Sequence, residues 1–402
     1  MSMSRETLVN LAKDNIKHAN ANSVSLATGT MKIPASDYTD NERWVIEKNK
    51  LFHRLPLLVA MSCELPEERS YLSIEAAGIP MIITRDGDFK LHAMLNSCSH
   101  RGAQILDPGC GKIKRLICPF HAWGYDLDGS LAHVFASDVF GEIDKSRHGL
   151  IRLPVYENAG LIWVNADPNS SLSISDYLCG YDDLLQHFNF KNWKIFGRRS
   201  IVGPNWKIAY DGYLDLYHLP ILHKKTFGSD MPYRSLAYSW GPHTRVTSPD
   251  PDLAKESLDI PPKDFDIDKL TSGVWTIFPH VSIASFDAGC RGALISQLFP
   301  GSNVSESITI QTYMISRDLE EHEAAEVQTM FDLLETVVSE EDYKTGLKQQ
   351  AALETGLRNE VIFGRNEEGC QTFHRWVSKI LETPDSELPK LFKSAHRWNH
   401  TE

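Results

Sequence analysis

The sequence predicts an α+β protein: a small antiparallel β domain, followed by a larger domain in which a long helix covers an antiparallel sheet. Three observations carry that expectation. From about residue 41 to 168 the chain consists of short β-rich runs, such as Met81-Ile82-Ile83-Thr84 and Leu161-Ile162-Trp163-Val164, broken by Gly, Asp and Asn. Beyond residue 170, strand candidates gather at 274–278, 294–299 and 307–313. After them, residues 320–357 interleave charged residues with Met330, Leu333, Leu334, Val337 and Val338, which predicts a long helix.

Taken in chain order, residues 5–20 place Leu8, Leu11 and Ile16 near one helical face and Lys13, Asp14 and Lys17 elsewhere. That spacing predicts an amphipathic arm, so residues 1–40 are expected to pack as a helical arm on the larger domain. The β domain is expected over 41–168 and the larger domain over 169–402. Residues 247–268 are rich in Pro and Asp and poor in apolar periodicity, which predicts an irregular segment, either a solvated connection or a flap over a pocket.

A chain of 402 residues can bury two cores. With 41 basic and 53 acidic residues its net charge is −12, which argues against nucleic acid or an anionic membrane as the principal partner and suits a positively charged protein partner. The longest strongly apolar run, around 55–63, is too short to span a bilayer, and residues 1–30 hold no apolar signal-peptide core. A cytoplasmic location is expected. Seven Cys without dense spacing argue against a secreted disulfide framework, and Cys110, between two glycines, reads as a turn residue.

Two short arms, Cys98-Ser99-His100 and Cys118-Pro119-Phe120-His121, each offer one thiolate and one imidazole. A [2Fe–2S] centre with two Cys on one iron and two His on the other needs that mixture, and imidazoles in place of thiolates raise its potential. Zinc is the competitor, since Cys₂His₂ also makes structural zinc sites. Zinc arms more often pair Cys with Cys and His with His, so the mixed arms favour iron and sulfur.

The second constellation runs from Asp211 through Asp215 and His218 to His223. Asp215 and His218, three apart, share a face if the segment is helical, whereas His218 and His223, five apart, diverge by about 140° on an unbroken helix. Pro220 lies between them and is expected to kink or end the helix, swinging His223 back. Two His and one carboxylate make the facial triad of non-haem Fe(II) oxygenases. Alone, a His-x₄-His pair reads as two hydrogen-bonded helix residues.

The stretches Cys98-Ser99-His100-Arg101-Gly102-Ala103 and Cys118-Pro119-Phe120-His121-Ala122-Trp123-Gly124-Tyr125 resemble the Rieske domain of ring-hydroxylating oxygenase α subunits. The resemblance covers roughly residues 45–380 and implies a Rieske-type β domain followed by a helix-grip (START-like) catalytic sheet with covering helices. It implies one [2Fe–2S] cluster on Cys98, His100, Cys118 and His121. It also implies one mononuclear Fe(II) on His218, His223 and a downstream carboxylate, for which Asp342 is expected and Glu341 is the reserve. Without the resemblance, Glu340-Glu341-Asp342 reads as a solvated helix face.

The resemblance further implies an oxygenase that uses O₂ and electrons from NAD(P)H. A separate reductase, with or without a ferredoxin, is implied because no Gly-rich dinucleotide fingerprint is evident. Dihydroxylation of an aromatic or similarly hydrophobic compound is expected; monooxygenation or O-/N-demethylation would use the same metals. A homotrimer, alone or with a β subunit, is implied, in which Asp215 bridges His218 to His121 of the adjacent chain. Asp211, Leu219 and Val274 are expected near the substrate, although Leu219 and Val274 equally suit a core. The non-enzyme readings are a Rieske electron carrier fused to a ligand-binding domain, and a zinc-stapled binding protein.

Overall fold

The computed structural model describes residues 3–398 and shows the expected α+β order of elements. Strands Ser70–Ala76, Ile79–Arg85 and Leu91–Leu95 form an antiparallel meander, flanked by Gly109–Lys112 on one edge and Arg152–Leu153 on the other. The two-residue turn Ala77-Gly78 has positive φ at both positions, the backbone that joins twisted strands most directly. A second sheet places Leu161–Asn165 between Pro56–Met61 and Val155–Asn158. A third, made of Leu116–Ile117, Gly124–Tyr125 and Leu131–His133, carries residues 118–123 in its first hairpin.

The larger sheet is antiparallel throughout. Six strands follow in order from Leu236–Trp240 to Ser307–Ile315, and Lys194–Gly203 closes on the last of them. A helix crosses one face of this sheet as Glu321–Thr336, a π-helical segment Val337–Tyr343, and Lys344–Glu354. Its approach is close: a Cβ on Gly197 would lie 2.5 Å from the Phe331 ring, and one on Gly203 would lie 2.7 Å from that of Tyr343. Glycine at these two strand positions is what admits the helix.

Helix Met3–Asn20 buries Leu8, Val9, Leu11 and Ala12. It also buries Asn15, whose amide donates to the Tyr238 hydroxyl at 3.2 Å and accepts from the Thr247 hydroxyl at 2.8 Å. Strand Met31–Pro34 then pairs with Glu360–Phe363. Helix Asn41–Glu47 starts on an Asp40 cap and brings Glu47, fully buried, to Lys207 and to the Trp206 indole N–H at 3.0 Å. Residues 41–55 thus reach the larger domain, Arg54 donating to the Ile380 and Thr383 carbonyls as well, while His53 and the Arg54 carbonyl contact Ala77 and Asn165 of the β domain. The β domain itself is tied on through Leu58: its N–H donates to His280 Nε2 at 3.1 Å and its carbonyl accepts from Gln297 at 2.8 Å.

Residues 247–268 are more ordered than their composition suggests. Helix Pro251–Glu256, capped by Asp250, and helix Ile267–Leu270, capped by Asp266, bury Ala254, Phe265, Ile267 and Leu270. Arg5 of the N-terminal helix donates to the Phe265 carbonyl at 2.8 Å, so this segment is packed under the arm. Among the described residues no helix is long and apolar enough to cross a membrane.

Candidate metal centres

The two mixed arms meet at one end of the β domain. The Cys98 and Cys118 side chains are buried neighbours, and the His100 and His121 rings lie 4.7 Å apart and half-buried. Thiols thus face thiols and imidazoles face imidazoles, the sorting that a Cys₂/His₂ [2Fe–2S] centre requires. Backbone turns shape both arms: the Gly102 N–H donates to Cys98 O at 2.8 Å and the Ala122 N–H to Cys118 O at 3.0 Å. Trp123 stacks on His100 at 4.8 Å.

Tyr125 supports the first arm. Its hydroxyl lies 3.0 Å from Cys98 Sγ and accepts from the Ser99 N–H at 3.1 Å. Burial, with Cys98 beside it, raises its pKa, so the hydroxyl keeps its proton to donate toward a thiolate. Cys110 instead lies exposed on an edge strand opposite Leu72.

In the larger domain His218, His223 and Asp342 bring one potential ligand atom each to within 4.8 Å of one another. Asp342 Oδ1 is 3.3 Å from His223 Nε2 and 3.7 Å from His218 Nε2. Each imidazole is held from behind. His218 Nδ1 donates to Asp215 Oδ1 at 3.0 Å, and His223 Nδ1 donates to Glu341 Oε2 at 2.6 Å. Such carboxylate–histidine pairs set the tautomer that leaves Nε2 free for a metal. Burial alone would lower both imidazole pKa values, but Asp215 and Asp342 raise that of His218, and Asp342 and Glu341 raise that of His223.

The local backbone differs from the helical expectation. Asp215 is not on a helix: it closes a turn, its Oδ1 accepting the N–H groups of Tyr217 at 2.7 Å and His218 at 3.2 Å. Helix Leu219–Leu222 begins only after His218, so Pro220 sits in its first turn, where a missing N–H is tolerated, rather than kinking a continuous helix. His223 is the junction to the next short helix, Lys224–Phe227.

The acidic triplet divides three ways along the π-helical segment Val337–Tyr343. Glu340 is exposed and pairs with Lys344 at 3.2 Å. Glu341 accepts from His223 and, at 2.6 Å, from the Thr226 hydroxyl. Asp342 faces both imidazoles. A wider helical turn separates consecutive side chains by a smaller angle, which lets neighbours 341 and 342 serve the same histidine.

A cavity of about 250 Å³ adjoins the triad and is lined by His218, Asp342, Asp215, Asp211 and Tyr38, among others. Asp211 does line it, but its carboxylate is already engaged, accepting from the Tyr38 hydroxyl at 2.7 Å and from His374 at 2.9 Å. Neither Leu219 nor Val274 lines this cavity. Leu219 opens the short helix, and Val274 lies on the sheet in register with Ala284. Tyr38 and His374 carried no local signal in the sequence, since each acts on a partner that folding alone brings near, and Tyr125 stood there only as the end of the second Rieske-like stretch, with no role assigned. Glu341 was legible only as an alternative ligand.

The chain is similar to known proteins over both centres. A family model for the Rieske [2Fe-2S] domain matches residues 56–144, and one for the ring hydroxylating alpha subunit (catalytic domain) matches residues 190–383. The glycine betaine monooxygenase oxygenase subunit of Chromohalobacter salexigens is 31% identical over 219 residues, 54% of this chain and 48% of that protein. The carnitine monooxygenase oxygenase subunit of Escherichia coli (strain K12) is 35% identical over 195 residues, 48% of this chain and 52% of that protein. The chain thus spans about half the length of the curated relatives it matches. The apo crystal structure of a quaternary ammonium Rieske monooxygenase shares the fold, with a TM-score of 0.72 and 22% identity over 87% of this chain and 95% of that one. With a Rieske domain bearing paired thiols and imidazoles, joined to an α-subunit catalytic domain, the chain belongs to the Rieske oxygenases.

Proposed function

We propose that this chain is the oxygenase component of a Rieske monooxygenase, with Cys98, His100, Cys118 and His121 holding a [2Fe–2S] cluster and His218, His223 and Asp342 holding Fe(II). The observation that carries the reading is the convergence of three ligand atoms within 4.8 Å, both imidazoles being tethered through Nδ1 to carboxylates. Donor type and geometry fit the 2-His-1-carboxylate set of non-haem Fe(II) oxygenases. The cluster would supply single electrons, and the Fe(II) would supply dioxygen activation.

The chain's own residues do the rest. Asp215 and Glu341 fix the imidazole tautomers, and Thr226 fixes Glu341. Asp215, at the surface of the triad cavity, is also the candidate bridge to His121 of an adjacent chain in a head-to-tail trimer. Electrons would come from NAD(P)H through a separate reductase.

The relatives, oxygenase subunits of glycine betaine and carnitine monooxygenases, favour monooxygenation of a quaternary ammonium compound over the dihydroxylation of an aromatic ring, and the carbon beside nitrogen is the position we propose. One oxygen atom enters the C–H bond next to nitrogen and the other leaves as water. The C–N bond then breaks to a carbonyl compound and a protonated amine, with one NAD(P)H and one proton consumed. The test is anaerobic reconstitution with iron and sulfide, followed by turnover of glycine betaine and carnitine with a surrogate reductase. A red-brown protein with about three irons and two acid-labile sulfides per chain is expected, as is oxygen uptake matched by amine release. A colourless reconstituted protein would overturn the Rieske assignment, and a cluster-loaded protein that releases no amine from either compound but dihydroxylates an aromatic ring in a parallel assay would overturn the monooxygenase reading.

A further inference from the structure

Beneath the catalytic helix, the sheet carries a row of polar side chains, of which Gln311 and Arg199 are left with unpartnered atoms. In register across four strands stand Thr276, Ser282, Ser296 and Gln311, with Arg199 next to Gln311 on the closing strand. Residues in register share a face. Here it is the face the helix covers, because Gly197 and Gly203, at the same parity as Arg199, touch Phe331 and Tyr343.

Gln311 is fully buried, yet neither its amide oxygen nor its amide nitrogen has a partner. The Tyr213 hydroxyl, also buried, stands beside Ser296, Gln311 and Tyr343 without a well-formed hydrogen bond to any of them. The Tyr343 hydroxyl is occupied, 2.5 Å from that of Thr309. A buried primary amide without a well-formed hydrogen bond is rare in a folded core, because desolvation without a partner is unfavourable. Tyr343 links these groups to the metal site: it lines the cavity beside the triad and directly follows Asp342, whose charge acts on both tyrosine hydroxyls.

We infer that Gln311 and Tyr213 form the polar anchor of the substrate site, receiving a carbonyl or carboxylate oxygen while the oxidised carbon lies toward His218, His223 and Asp342. The inference deepens the monooxygenase reading and rests on it. The row holds no acid, and its one charged member is Arg199, which pairs with Glu335 and stacks on Phe331, with Nε and Nη2 unpartnered. Such a floor suits an oxygen acceptor. It offers an ammonium group no counter-charge.

Anaerobic calorimetric titration of the metal-loaded protein, without reductase, tests this with three probes: glycine betaine, its carboxamide, and tetramethylammonium. Binding of glycine betaine or its amide at least tenfold tighter than tetramethylammonium is expected. A preference confined to the acid identifies a carboxylate, and one shared by the amide identifies a carbonyl. Gln311→Leu and Tyr213→Phe should each remove that preference while leaving iron content and circular dichroism unchanged. If Gln311→Leu does not fold, Tyr213→Phe and the wild-type preference decide. Equal binding of all three probes by the wild type, or a preference that survives both substitutions, overturns the inference and leaves a site filled by water. Turnover is scored separately: oxidation without preference defeats the anchor alone, and preference without oxidation defeats the monooxygenase reading alone.

Discussion

His223 is held between two carboxylates from adjacent residues: Nδ1 donates to Glu341 Oε2 at 2.6 Å, while Nε2 faces Asp342 Oδ1 at 3.3 Å. The two acids therefore differ in kind, one orienting the ring and the other completing the triad. Asp342→Ala should abolish mononuclear iron binding and leave the cluster spectrum intact. Glu341→Gln should weaken iron binding by about 10- to 100-fold, the usual effect of losing a carboxylate behind a ligating His. Iron per chain, by colorimetric assay after limited chelation, separates the two. Normal iron in Asp342→Ala with loss in Glu341→Gln would reverse the assignment.

Tyr125 reaches Cys98 Sγ at 3.0 Å. A hydroxyl donating to a cluster thiolate stabilises the reduced, more negative state, so its removal should lower the potential. A hydrogen bond worth about 1 kcal/mol corresponds to a shift on the order of 50 mV for one electron. Tyr125→Phe should therefore show a potential lower by that amount in a spectroelectrochemical titration. An unchanged potential would mean that the hydroxyl serves only the Ser99 turn.

Asp215 uses one carboxylate oxygen for the Tyr217 and His218 N–H groups and for the His218 ring. Asp215→Asn keeps a cap for the turn but loses the charge behind the imidazole. Assembly size should be preserved, while reoxidation of the reduced cluster slows sharply. Stopped-flow absorbance with substrate and O₂ reads that step, and wild-type rates would reject an electron bridge.

Asp268 anchors the segment packed under the N-terminal arm. Burial alone would raise its pKa, but His187 at 2.8 Å and Arg291 at 2.7 Å bring it down to about 2. A depressed carboxylate pKa contributes stability above the unfolded value, and that stability is lost as pH falls through the folded one. From ordinary values near 4, the contribution is about 2 kcal/mol at neutral pH. Asp268→Asn should lower the melting temperature at pH 7, with the gap to wild type narrowing between pH 4 and pH 2. An equal gap at both ends of that range would assign the loss to packing rather than charge.

What the sequence alone determined about this protein is chemical and local. Cys98, His100, Cys118 and His121 fall in two short arms, so residue type and spacing sufficed to single out a candidate Cys₂/His₂ centre, while the fold supplied the facing of thiol to thiol and imidazole to imidazole. The order of a β domain before a helix-covered sheet was likewise written in runs of strand and helix periodicity. Tertiary structure decided everything that depends on distance across the chain. His218 and Asp342, 124 positions apart in number, meet because the long helix crosses the sheet beside the turn that holds Asp215. Tyr38 reaches Asp211, and Gln311 comes to lie beneath Tyr213, for the same reason. Periodicity reports which face of an element is buried, whereas the partner that satisfies or leaves open a buried polar group is set by packing between elements remote in sequence.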